Sequence, residues 1–274
     1  MTASWTPSAC EQEALQSHGH IQGLERVDAV WPWLAAEHGT ITAVDAPHAA
    51  HPERFSFAEL EQRIATAAAA FRRQGVQPGD VVALFAENSP RWLVADQGLM
   101  RCGAADAVRG ASAPVEELRY ILEDCNAKAL VVQNADLWRR LDLTASQRQR
   151  LRLVLQLEGE PAEGVLGWEA FLASGAGQQT VTASRDRRAI ATVLYTSGTT
   201  GQPKGVPLTH ANLLHQMQSL ACVAHPKPGS PVLSVLPIWH AYERSASYYF
   251  LSCACTQTYT CLLYTSDAAD EEDS

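Results

Sequence analysis

The chain of 274 residues, 29.7 kDa, has room for one large domain or two ordinary ones and for a substantial buried core. With 46% hydrophobic and 19% charged residues it is globular in composition, which excludes a disordered tail or a collagen-like fibre. Its 21 basic and 30 acidic residues give a formal charge of −9, which argues against nucleic acid as the main partner.

Residues 1–26 carry little periodic signal. Their start, MTASWTPSACEQEALQSHGH, lacks the basic stretch followed by an apolar run that marks a secretory leader. No later apolar run approaches the ~18 residues of a membrane span, so a soluble protein is expected, with peripheral contact with a membrane left open. From about Val27 short β-branched runs alternate with helical patterns. In FSFAELEQRIATAAAAFRRQG, Ser56 and Glu59 have capping-box spacing, while Leu60, Ile64, Ala67 and Phe71 recur at helical intervals. Gly75 stands where a glycine ends the helix. Gln77-Pro78-Gly79-Asp80 then predicts a turn into a strand over Val81–Phe85.

Asn88-Ser89-Pro90 opens a second helix, with Ser89 as N-cap, Pro90 at the first helical position and Gly103 just past the end. A helix from about Pro114 to Asp124 follows, then strands at Ala129–Gln133 and Leu151–Leu157. Strands separated by helices of this length predict βαβ crossovers and an α/β fold with mainly parallel sheets flanked by helices. The stretch from Glu158 to Arg188, holding Gly159, Pro161, Gly164, Gly167, Gly175 and Gly177, is expected to be a surface excursion between two subdomains.

The chemistry sits further on. Ile190–Tyr195 reads as a buried strand running into Thr196-Ser197-Gly198-Thr199-Thr200-Gly201-Gln202-Pro203-Lys204-Gly205. The glycines let successive backbone N–H groups converge, the hydroxyls donate further bonds, and Lys204 adds a point charge, so the loop suits a triphosphate. It is not a Walker A loop, because no G-K-[ST] opens a helix. A short strand at Val206–Leu208 and a helix from Thr209, its N-cap, to about Cys222 come next. Another strand is expected at Val232–Leu236. His240 ends a Pro-x-x-His unit beside Trp239 and Tyr242, and on its own reads as a satisfied core histidine. Glu243-Arg244 reads equally as a local ion pair, with no catalytic role. Seven cysteines are too few for a disulfide scaffold, and Cys253 and Cys255 are spaced C-x-C, so reduced thiols and a cytoplasmic location are expected.

The string YTSGTTGQPKGVPLTHANLL resembles the phosphate-binding signature of the adenylate-forming (AMP-binding) superfamily. Leu236-Pro237-Ile238-Trp239-His240-Ala241-Tyr242-Glu243-Arg244 and the segment Arg109 to Val132 resemble its long-chain fatty-acid branch, which includes CoA ligases and acyl–acyl-carrier-protein (ACP) synthetases. The resemblance covers about Val27 to Thr260. It implies an incomplete N-terminal domain of the ANL-type fold, a partial adenylation domain over 27–260. It also implies a two-step ligase: a fatty carboxylate attacks the α-phosphorus of ATP, with Mg²⁺, and a thiol of CoA or an acyl carrier protein then takes the acyl group. By resemblance Thr196, Ser197, Gly198, Thr199, Thr200, Gly201 and Lys204 bind the nucleotide phosphates. The same resemblance makes His240 the candidate catalytic residue, its ring beside the acyl and adenylate pocket.

Other chemistry is not expected. His48/His51 and His210/His215 lack zinc spacing, and the nearest approach to G-x-S-x-G, Gly110-Ala111-Ser112-Ala113-Pro114, ends in proline. The seven tryptophans are not interleaved with basic residues and are assigned to packing.

Residues 261–274 carry five unbalanced acids, and CLLYTSDAADE over 261–271 matches the in-frame reading of a transposase-end sequencing adapter, so this tail is expected to be non-native. The family pattern continues beyond this point with a metal-binding acid, a ribose-binding Asp, a hinge and a small domain carrying a catalytic Lys. Their lack here predicts little or no ligase activity for this polypeptide alone. The alternative is a short, non-catalytic nucleotide- or acyl-binding protein.

Overall fold

The computed structural model describes residues 8–9, 12, 19–49, 52–178, 186–196 and 202–260. The first long elements are helix α1 (Val30–His38), strands β1 (Thr42–Ala46) and β2 (Glu53–Ser56), and helix α2 (Phe57–Arg73). The capping box at the start of α2 is present in full: the Ser56 side chain accepts the Glu59 N–H and the Glu59 carboxylate accepts the Ser56 N–H. Gly75, at φ +88°, makes the left-handed turn that releases the chain.

Strand β3 (Val81–Phe85) leads into α3 (Pro90–Cys102), and β4 (Ala105–Arg109) into α4 (Val115–Asp124). Then come β5 (Ala129–Val132), the short helices α5 (Ala135–Leu141) and α6 (Ala145–Arg150), and β6 (Leu153–Gln156). After β7 (Leu166–Gly167) and α7 (Trp168–Gly175), the hairpin strands β8 (Ile190–Thr196) and β9 (Lys204–Thr209) precede α8 (His210–Leu220). The described chain closes with β10 (Pro231–Ser234), α9 (Ala241–Ser252) and β11 (Thr256–Tyr259).

Two sheets result. The larger has seven strands in the order β7-β6-β5-β3-β4-β8-β9, parallel throughout except for the β8/β9 hairpin. The smaller has the order β10-β11-β1-β2, with only β1/β2 antiparallel. The mainly parallel α/β architecture expected from the alternation of runs is therefore present. Central strands of such a sheet are covered on both faces, which is why β3 and β5 are near-continuous apolar runs.

The stretch from Glu158 to Arg188, expected to be a surface excursion, is one only in part: residues 159–164 and 176–178 are largely exposed, but 166–175 form β7 and a packed helix. Trp168 and Phe171 of α7 are buried, and the Phe171 ring lies 4.6 Å from that of Phe71 on α2. A Cβ on Gly175 would come within 2.2 Å of the Thr66 carbonyl oxygen, so that glycine is what lets α7 lie against α2. The helix is only eight residues long and is bracketed by glycines, which hid its apolar face.

Candidate active site

In the larger sheet, β4 lies on one side of β3 and β5 on the other, so the order reverses there. Open α/β sheets place ligands in the crevice beyond the carboxyl ends of the strands at such a reversal. Glu87 and Asn88 follow β3 at this point, and Gly110 to Ser112 follow β4. The Ser112 N–H and hydroxyl both donate to Glu87 Oε1 at 3.2 Å, tying the two loops together.

Asn88 brings in a third loop. Its Nδ2 donates to Ser234 Oγ at 3.0 Å and to the Leu236 carbonyl at 2.8 Å, while its Oδ1 accepts the Ile238 N–H at 3.0 Å. The segment 234–238 is thus pinned over the crevice by one amide. Trp239 follows, its indole so close to Gly110 that a Cβ there would meet ring carbons at 2.5 Å. Gly110→Ala is accordingly expected to push Trp239 off the end of β4 and to cost about 1–3 kcal/mol of stability, read as a shift in tryptophan emission and in the urea midpoint.

His240 is the residue after this anchored indole and the N-cap of α9. Its backbone is extended and its side chain makes no capping bond to α9. It is exposed. The reading of His240 as a core histidine is therefore overturned.

The candidate phosphate-binding segment connects β8 to β9. Thr196 and Lys204 are register partners across it, so their side chains leave the same face of the sheet, and both are exposed. That face is the one where Leu194, two residues before Thr196, packs into the core with residues of α3, α8 and α9. Strand β8 neighbours β4, with Val108 paired to Leu194, so Thr196 and Gly110 stand at the same end of adjacent strands. The structure thus brings together Thr196, Lys204 and the Trp239-His240 segment at the carboxyl edge of the sheet. Ser197, Gly198, Thr199, Thr200 and Gly201 lie outside the described residues.

Beneath the site is a buried charge cluster that the sequence did not announce. Glu243 and Arg244 are not an ion pair with each other. Glu243 accepts the Ser234 hydroxyl at 2.7 Å, and burial pushes its carboxyl up. Arg244 turns the other way. Its Nη2 donates to Asp106 on β4 at 2.8 Å and to Asp96 on α3, its Nε donates to the Tyr248 hydroxyl at 2.7 Å, and its guanidinium stands 5.0 Å from the Trp92 ring centroid. Burial drives the Asp96 carboxyl above its ordinary range against the pull of Arg244. This cluster nails the first turn of α9, and with it His240, to the two elements that form the crevice wall.

Cys253 and Cys255, just after α9, are buried thiols. Burial pushes Cys253 up to about 11 and Cys255 to about 12, which keeps both protonated at neutral pH. Among the described residues no group of three or more His, Cys, Asp or Glu is placed to hold a metal ion.

Comparison with known proteins gives the family. The AMP-binding enzyme family model matches residues 32–267, and the chain belongs to that family. A chloroplastic long-chain-fatty-acid-[acyl-carrier-protein] ligase of Arabidopsis thaliana is 38% identical over an alignment of 260 positions that covers 88% of this chain and 36% of that protein. A long-chain-fatty-acid-CoA ligase of Mycobacterium tuberculosis is 30% identical over an alignment of 198 positions that covers 69% of this chain and 32% of that protein. The apo structure of MbtA from Mycobacterium smegmatis superposes with a TM-score of 0.76 at 28% identity, over 94% of this chain and 48% of that one. The chain spans about a third of the length of the curated relatives it matches.

Asn88, Gly110 and Arg244 are the positions shaping the candidate site to which no motif points. Asn88 had a visible signal, because Ser89 alone suffices as the N-cap of α3 and leaves the asparagine amide free for another task.

Proposed function

We propose that this chain supplies the phosphate-binding half of an adenylation site, in a ligase that activates a long-chain fatty carboxylate with ATP and passes it to the thiol of CoA or an acyl carrier protein. The observation that carries this reading is the Thr196/Lys204 pair, set opposite each other at the root of a hydroxyl- and glycine-rich loop, at the sheet edge where the order of strands reverses. A hydroxyl and an ammonium on one face suit phosphate oxygens, whose charge grows as pyrophosphate leaves. Ser197, Gly198, Thr199, Thr200 and Gly201 complete the donor set in this reading, and Mg²⁺ enters with the triphosphate. His240, on its anchored loop, presents its ring to the acyl and adenylate side of the crevice.

The names of the relatives support the fatty-acid class, and both thiol acceptors are represented among them. In this proposal the adenylation unit is residues 27–260. No helix among the described residues is long and apolar enough to cross a membrane. The cytoplasm, with peripheral contact with the membrane that holds the fatty acid, is the location we propose.

Titration calorimetry of the 274-residue chain with ATP and Mg²⁺ tests the nucleotide site. The parent chain is expected to bind, and Lys204→Met to bind roughly tenfold or more weakly, the scale of one charge-assisted contact. Equal affinity in the two chains, or no binding by the parent, overturns the assignment.

A further inference from the structure

Lys204 and Thr196 can act on one anion only if the two strands that carry them keep their register at the loop end of the hairpin. Backbone pairing alone holds such an end poorly, because the last rungs of a ladder fray. Here the ends are tied by a side chain on the opposite face. Tyr195, register partner of Gly205, turns its ring away from the Thr196 side and packs with Leu118 and Ile121 of α4. Its hydroxyl donates to Asp124 Oδ2 at 2.7 Å, and the Tyr120 hydroxyl donates to the other oxygen, Oδ1, at 3.3 Å.

Gly205 makes the arrangement possible from the β9 side. A Cβ there would stand 3.0 Å from Tyr195 Cζ, 3.1 Å from its hydroxyl and 3.1 Å from Val193 Cγ1. Strand β9 therefore lies directly on the tyrosine ring, and the ring is held at its far end by the carboxylate at the foot of α4. A charge-assisted O–H···O⁻ bond is short and directional, suited to fixing a ring rather than merely burying it.

We propose that Asp124 is a positioning residue for the nucleotide site: through the Tyr195 hydroxyl, and with Gly205 admitting the ring, it locks the root of the hairpin so that Thr196 and Lys204 face one phosphate group. The proposal rests on the nucleotide reading above. It assigns a role to a residue 71 positions from Tyr195 in sequence, acting through the tyrosine hydroxyl.

Amide hydrogen exchange on the whole chain tests it, with Tyr195→Phe, Asp124→Ala and Asp124→Asn. Phenylalanine keeps the ring and its packing and deletes only the donor. Asparagine keeps an acceptor where alanine has none. Exchange at Thr196 and over residues 204–206 is expected to speed up roughly three- to tenfold in Tyr195→Phe and Asp124→Ala, the scale of one hydrogen bond. β3 and β5 should stay unchanged, and Asp124→Asn should return most of the protection. Unchanged exchange in Tyr195→Phe, or no rescue by asparagine, overturns the proposal. The MgATP affinity of the same variants is read in parallel: failure of the parent to bind nucleotide sinks the site assignment and leaves the hairpin lock standing, whereas binding that is indifferent to a loosened hairpin sinks the lock alone.

Discussion

Arg244→Met is expected to cost on the order of 3–5 kcal/mol of folding stability, the scale seen when one partner of a buried ion pair is removed. Arg244 is 0% exposed and is the cation that neutralises Asp96 and Asp106, themselves 0% and 1% exposed. Methionine fills much of the volume but leaves two carboxylates without a counter-charge. Against a typical total stability of about 5–15 kcal/mol, a loss of this size removes a large share. Urea unfolding should show it as a lower midpoint at unchanged slope. The defect should also depend on pH in a defined sense. Burial already raises the Asp96 carboxyl, and loss of Arg244 raises it further. A carboxyl whose folded pKa is raised contributes fully below its unfolded value of 3.8 and loses that contribution as pH rises through the folded value. The variant should therefore be relatively worse at pH 8 than at pH 5. Adding Asp96→Asn and Asp106→Asn to Arg244→Met should return much of the stability at pH 8, since the penalty is uncompensated charge rather than lost packing. A flat pH dependence, or no recovery on neutralising both acids, would show that Arg244 acts by shape alone.

The same cluster shows what could and could not be read from the chain. Elements whose instructions are local were legible: the Ser56/Glu59 capping box, Ser89-Pro90 at the start of α3, Gly75 and Gly103 at helix ends, and the apolar runs of β3, β5 and β8 all lie where their residues indicate. Strand β4 was not, because Asp106 interrupts its apolar run and the residue that permits an acid there comes 138 positions later. Long-range compensation of that kind has no signature in a window of ten residues. The hairpin partner β9 was underestimated for a related reason. Its exposed edge, Lys204 to Pro207, carries no alternation to mark its length, and only the register with β8 defines it. The membership of the AMP-binding family was legible because its signature is a set of residue types in a fixed local order, and the family model matches over residues 32–267. The arrangement of the candidate site was not, since Asn88, Gly110 and Asp124 act by spatial approach to Ile238, Trp239 and Tyr195.

Acidification should weaken the fold through one buried histidine, and the sign follows from its surroundings. His210 is the first residue of α8, 1% exposed, and its Nδ1 accepts the Val27 N–H at 3.3 Å. That bond assigns the proton to Nε2, which finds no partner among the described residues. Burial first, and the nearby Arg26 guanidinium second, push the imidazole down to about 3 from an ordinary 6.5. A group whose folded pKa is depressed gives stability that is present above the unfolded value and is lost as pH falls toward the folded one. Between pH 6.5 and pH 4 the unfolded chain takes up a proton that the folded chain refuses. At ~1.4 kcal/mol per pH unit this amounts to a loss of about 3 kcal/mol. His210→Asn keeps an acceptor for the Val27 N–H and removes the titration. It should be less stable than the parent at pH 7.5 because of the smaller side chain, and the gap should narrow by about 3 kcal/mol by pH 4. The raised carboxyls of Asp28 and Asp96 shift stability in the opposite direction, but they are common to both proteins and cancel in the difference. A difference curve flat between pH 7 and pH 4 would mean that the folded protein admits the proton at His210. The Val27 N–H would then lose its acceptor, because a protonated imidazole has none, and the contact between α8 and the Val27 turn would rest on packing. Because β9 runs directly into His210, that contact also anchors the far end of the strand that begins at Lys204.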